Sequence, residues 1–83
     1  MQVQLELYAS LMRYLPPGAE RHRIAVHVPE GTSAQALLDR YRIPREQSHL
    51  VLRNGVFLHQ KEREQTPLEP GDVIAAWPPV AGG

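Results

Sequence analysis

The sequence predicts an α+β domain in which a mixed, mainly antiparallel sheet packs one face on a single helix. Three patterns predict it: period-2 segments at the start, one apolar stripe at helical spacing in the middle, and a hairpin signal followed by an inner-strand pattern near the end.

Val3, Leu5 and Leu7 alternate with Gln2, Gln4 and Glu6, as in a strand covered on one side. Pro16-Pro17-Gly18 supplies a turn, and Ile24, Val26 and Val28 then alternate with Arg23, Ala25 and His27 to complete a first hairpin. Pro29-Glu30-Gly31 breaks this strand. Thr32 with Gln35 three residues later matches a capping box, and Ala34, Leu37, Leu38 and Tyr41 form one helical stripe before Pro44. This predicts a helix from about Thr32 to Tyr41. Leu50 to Arg53 and Val56 to Leu58 flank Asn54-Gly55, the pair best suited to positive φ in a two-residue hairpin turn. The charged stretch Gln60 to Gln65 reads as a solvated loop. Pro70-Gly71-Asp72 turns the chain into Val73 to Trp77, which is apolar on both faces and therefore belongs inside the sheet. The order ββαββ with an inner last strand is the β-grasp arrangement, expected over residues 1–77.

The composition limits what such a domain can do. With 83 residues, 42% of them hydrophobic, one core closes and no material remains for a deep walled cavity. Nine Lys and Arg balance nine Asp and Glu, so no net field draws in nucleic acid or an anionic membrane. The absence of cysteine removes disulfides, a thiolate nucleophile and Cys-based zinc sites. The first residues lack the pattern of a secretory signal, and no segment has the roughly 20 apolar residues that span a bilayer. The expected location is the cytoplasm.

Pro78-Pro79-Val80-Ala81-Gly82-Gly83 carries the strongest functional signal. Paired prolines cannot continue a central strand, so residues 78–83 are expected to be a flexible, extended tail. Five residues from Pro79 span at most roughly 16–18 Å, enough to carry a carboxyl into a partner's cleft. Gly82 and Gly83 have no side chains to block a narrow channel or attack on that carboxyl. At a usage of about 7% each, two glycines close only roughly 0.5% of chains by chance. A carboxylate resists nucleophiles until it is given a good leaving group, and acyl-adenylate formation from ATP does this. Gly18, Gly31, Gly55 and Gly71 are isolated turn glycines that build no phosphate-cradling loop. ATP is therefore expected to act through a partner enzyme, with no cofactor bound to this chain.

Trp77-Pro78-Pro79-Val80-Ala81-Gly82-Gly83 closely resembles the terminal motif of the MoaD branch of the MoaD/ThiS ubiquitin-like sulfur-carrier family. Tyr8-Ala9-Ser10-Leu11, Val28 to Thr32, Val51 to Gly55 and Leu68 to Asp72 are similar to family segments in the family's order. The resemblance implies that a MoeB-like enzyme adenylates the Gly83 carboxyl, that sulfur replaces AMP to give a thiocarboxylate, and that a MoaE-like large subunit of molybdopterin synthase holds the acceptor. Trp77 stands where such tails commonly carry Phe, and Gln60 to Gln65 is unusually charged for the family.

Trp77, Pro78, Pro79, Val80, Ala81, Phe57 and Leu58 are the expected partner-binding residues, beside Gly82 and Gly83 at the reacting end. Trp77 fits a core role and an interface role about equally. His22, His27, His49 and His59 show no metal-ligand spacing, so no metal site is expected. Arg21, Arg23, Arg40, Arg42 and Arg45 are interleaved with acids and read as a mixed solvated face; Lys61, the sole lysine, reads as an ordinary surface charge. Two rival readings use the same residues differently. One keeps the carrier chemistry for thiamine thiazole synthesis, tRNA thiolation or protein conjugation; the other is a β-grasp interaction module that makes no use of its tail.

Overall fold

The computed structural model describes residues 1–80. Five strands, β1 (Gln2–Leu7), β2 (Arg23–His27), β3 (Leu50–Arg53), β4 (Val56–Phe57) and β5 (Val73–Trp77), form one sheet in the order β2-β1-β5-β3-β4. β1 and β5 run parallel at its centre, and every other neighbouring pair is antiparallel. This is the predicted β-grasp sheet, with β5 inside it.

Strand alternation sends Val3, Leu5, Leu7, Val26, Val51, Ile74 and Ala76 to one face, where they are buried with Ala34, Leu37 and Leu38 of helix α1 (Ala34–Arg40). Leu11, from a 3₁₀ segment over Ala9–Tyr14, joins the same cluster. Removing this surface from water drives the fold.

Helix α1 starts later than Thr32. Its N-cap is Ser33, whose Oγ accepts from the Ala36 N–H at 3.1 Å, and the predicted Thr32/Gln35 box does not form. Thr32 instead donates its hydroxyl to the Pro29 carbonyl at 2.7 Å, and buried Gln35 donates to Asp39 at 2.9 Å. The turn through Gly31, with φ of 90°, uses Thr32 and passes the cap to the next hydroxyl.

The stretch Gln60 to Gln65 is a second helix, α2 (Gln60–Gln65), not a loop. A capping box starts it: His59 caps the Glu62 N–H, and Glu62 accepts from the His59 N–H at 3.0 Å. Arg63 turns inward and is only 6% exposed, so this charged stretch is not wholly solvated. The sheet thus packs on α1 with α2 beside it.

Asn54 and Gly55 both adopt positive φ, 50° and 81°, as the hairpin requires. Asn54 also ties the turn to β5. Its Oδ1 accepts from the Val73 N–H at 2.8 Å, and its amide donates to Asp72 at 2.9 Å. Arg53 completes this corner through Nε and Nη2, at 2.9 and 2.8 Å from the same carboxylate oxygen of Asp72. Burial pushes the Asp72 carboxyl up, but the Glu69 N–H, Asn54 and Arg53 together outweigh it and hold the group below the usual carboxylate range.

Candidate functional site

The second face of the sheet carries no helix. Strand parity and register place Glu6, Ala75, Leu52 and Phe57 in one row across it, and Tyr8, Trp77 and Leu50 in the next. The β1–β2 side of this face is polar, with Gln2, Gln4, Glu6, Arg23 and His27. The β5–β3–β4 side is apolar. Phe57 is 45% exposed there, while Leu50, Leu52 and Trp77 are half-buried.

Trp77, the last residue of β5, lies flat on Tyr8 with ring centroids 4.2 Å apart and an interplanar angle of 2°. His22 packs against Tyr8 at 4.6 Å, making a three-ring stack beside the point where the chain leaves the sheet. Tyr8 donates its hydroxyl to Glu6 at 2.9 Å; burial, then this hydrogen bond and the Glu6 charge, push the phenol up. Phe57 is braced by the edge of His59 at a centroid distance of 4.9 Å. These contacts place Trp77 on the open face, outside the main core cluster.

Two backbone bonds flank the exit. The Tyr8 N–H donates to the Ala76 carbonyl at 3.1 Å, and the His49 N–H donates to the Trp77 carbonyl at 3.0 Å. Beyond them Pro78 is half-buried, Pro79 is exposed and Val80 is 75% exposed. Ala81, expected to bind a partner, and Gly82 and Gly83, expected at the reacting end, lie outside the described residues.

The structure therefore brings Trp77 and Phe57 to one side of the sheet, but not Leu58. Leu58 is 6% exposed and belongs to the core, because the Leu52–Phe57 register turns its side chain to the opposite face. Sequence reasoning missed Leu50, Leu52 and Tyr8. The run Leu50-Val51-Leu52 carried the signal, since its alternate members must point to opposite faces.

Among the described residues no three His, Asp or Glu side chains come together to hold a metal ion. No described helix is long and apolar enough to cross a membrane. An open depression at the β2 edge, lined by Gln4, Gly18, Glu20, Arg23, Ile24 and Ala25, involves neither Trp77 nor the residues after it. What remains is an apolar surface continuous with the start of a chain segment rich in proline and glycine.

The ThiS family model matches residues 8–83, which include both that surface and the whole segment after it. The chain belongs to the ThiS family. By that membership it is a ubiquitin-like sulfur carrier. Three solved structures share the fold of this ThiS-family chain. SAMP1 from Haloferax volcanii is 24% identical, with both chains fully covered and a TM-score of 0.68. The Haloferax volcanii HVO 2177 protein is also 24% identical, with all of this chain and 87% of that one covered and a TM-score of 0.71. A chain from the complex of subunits 1 and 2 of the molybdopterin-converting factor of Helicobacter pylori 26695 is 18% identical over the full length of both, with a TM-score of 0.58. No curated protein matches the chain.

Proposed function

We propose that this ThiS-family carrier is loaded at the Gly83 carboxyl and donates sulfur as the small subunit of a molybdopterin synthase-type complex. A carboxylate oxygen of Gly83 attacks the α-phosphorus of ATP held by a MoeB-like enzyme, and pyrophosphate leaves. Hydrosulfide from a sulfur donor then attacks the acyl carbon, the bond to AMP breaks, a proton is lost, and a thiocarboxylate remains for transfer to an acceptor held by a MoaE-like subunit.

The observation that carries this reading is the continuity of the exit with the apolar face. Trp77, Leu50, Leu52 and Phe57 form a docking patch at the root of the segment that ends in Gly82-Gly83. A partner seated on that patch receives the segment without a search. Pro78 and Pro79 keep its base extended, which lowers the ordering cost of entry, and Val80 offers an apolar anchor at the mouth of a cleft. The choice of a MoaE-type partner is supported by the Trp77-to-Gly83 motif and by the likeness to a chain of the Helicobacter pylori complex.

Intact-mass spectrometry after incubation with a MoeB-like enzyme, ATP and a sulfur donor tests the loading step. One oxygen replaced by sulfur on Gly83 is expected, and a variant with one residue added after Gly83 is expected to stay unmodified. Equal loading of a chain lacking Gly82-Gly83 would refute the assignment. The ThiS match and the likeness to SAMP1 support a second reading, in which the same thiocarboxylate or adenylate serves thiazole synthesis, tRNA thiolation or protein conjugation. Conversion of a molybdopterin precursor with a MoaE-like subunit selects the first; activity only with the other acceptors selects the second.

A further inference from the structure

We propose that Arg63 fixes where the chain leaves the sheet, acting as a positioning residue on Trp77 through Ser48 and His49. Its functional consequence rests on the carrier reading above; its geometry does not.

Helix α2 is exposed at Gln60, Lys61, Glu62, Glu64 and Gln65, and Arg63 alone is buried. Among the described residues it forms no ion pair. Its guanidinium instead donates to two successive carbonyls, Nη1 to Ser48 at 2.8 Å and Nη2 to His49 at 3.0 Å. The arrangement is costly, since burial pushes the guanidinium down and both Arg63 Nε and Ser48 Oγ have no protein partner. A Met or Leu would remove the desolvation cost of the guanidinium but would leave the Ser48 and His49 carbonyls without these donors, so the reason for a cation here lies in the two hydrogen bonds.

Holding two consecutive carbonyls fixes the orientation of the peptide between residues 48 and 49, and the His49 N–H is the group that donates to the Trp77 carbonyl at 3.0 Å. Pro78 and Pro79 have no N–H, so beyond the ladders that pair Trp77 with Leu50 and Ala76 with Leu7, this bond and the one from Tyr8 to Ala76 are the last backbone ties on the two sides of the exit. Arg63 braces the side that β1 does not. The capping box and the Arg63 N–H bond to the His59 carbonyl at 3.1 Å make α2 a firm base for that brace. Fixing the root reduces what a partner must order before reaction.

The test compares Arg63→Met and Arg63→Lys with wild type in the full chain. Amide hydrogen exchange is read at His49, and at Asn54, whose N–H donates to Val73 at the other end of the β3–β5 ladder. Arg63→Met is expected to speed exchange at His49 by about tenfold, the equivalent of one hydrogen bond to a charged group, and to leave Asn54 unchanged. With an adenylating partner and ATP, KM for the carrier should rise about five- to tenfold with kcat nearly unchanged, and Arg63→Lys should fall between the two. If Arg63→Met fails to fold, the same order is required of Arg and Lys alone. Equal acceleration at His49 and Asn54, or an unchanged KM beside a faster His49, overturns the proposal. If wild type is not adenylated at all, the carrier reading fails, and the exchange data alone still decide whether Arg63 holds the exit.

Discussion

Replacing Asp72 should separate the stability of this fold from its chemistry. The Asp72 carboxylate accepts from Arg53 Nε and Nη2, from the Asn54 amide and from the Glu69 N–H, all at 2.8–2.9 Å, and its side chain is 8% exposed. Asp72→Ala leaves three partners unpaired, the guanidinium among them. Breaking a buried pair costs about 3–5 kcal/mol, but Arg53 is 21% exposed and recovers some hydration, so the lower end, about 3 kcal/mol, is expected. Urea unfolding at neutral pH measures it, and a cycle with Arg53→Met should show at least about 1 kcal/mol of coupling. The folded-state carboxyl titrates below its unfolded value of about 3.9. Its contribution is therefore complete above that value and lost as pH falls through the folded one. Asp72→Asn should flatten this acid limb while leaving the loading of Gly83 unchanged at neutral pH. A loss under about 0.5 kcal/mol for Asp72→Ala, or strict additivity with Arg53→Met, would show that the corner does not hold β5 to the hairpin.

The adjacent residues Phe57 and Leu58 should respond in opposite ways. Phe57→Ala, on the open face, should change stability by less than about 1 kcal/mol and weaken partner binding at least tenfold, whereas Leu58→Ala, in the core, should cost about 2–4 kcal/mol in thermal or urea unfolding. Calorimetric titration against the large subunit completes the comparison. Glycine at both Pro78 and Pro79 should leave the melting temperature unchanged and weaken the complex by about 1–2 kcal/mol, from the greater freedom of the unbound chain. Unchanged affinity there would mean that the prolines have no part in entry.

The elements that read correctly from sequence are those set by neighbours in the chain. Asn54-Gly55 turns where positive φ is needed, and Val3, Leu5 and Leu7 share a face because strand parity leaves no alternative. Helix α2 was illegible for a physical reason: its buried stripe is a single residue, Arg63, and a charge does not announce burial. Its cap was hidden too, since His59 lies outside the Ser, Thr, Asp and Asn set that usually marks a helix start. Thr32 and Ser33 are chemically interchangeable caps, and the Thr32 bond to Pro29 decided between them. Trp77 could not be assigned from sequence because its neighbour on the face, Tyr8, arrives through the parallel β1–β5 pairing from a distant part of the chain.

The two halves of the open face carry different physical roles. The row Arg23, Glu6, Ala75, Leu52, Phe57 starts as an ion pair of 3.6 Å and ends as an exposed aromatic ring, so polarity changes within one row of the sheet. Phe57 at 45% exposure keeps much of its ring in water, so stability alone gives little reason for an aromatic side chain at that end of the row. The apolar half coincides with β5, β3 and β4, and β5 is the last strand, after which the chain continues into Pro78. An apolar surface located by chance would have no reason to include the final residue of the tail-bearing strand. Trp77 is that residue, and its stack on Tyr8 gives the patch a rigid centre beside the point where the chain leaves the sheet, which is where the proposed docking requires one.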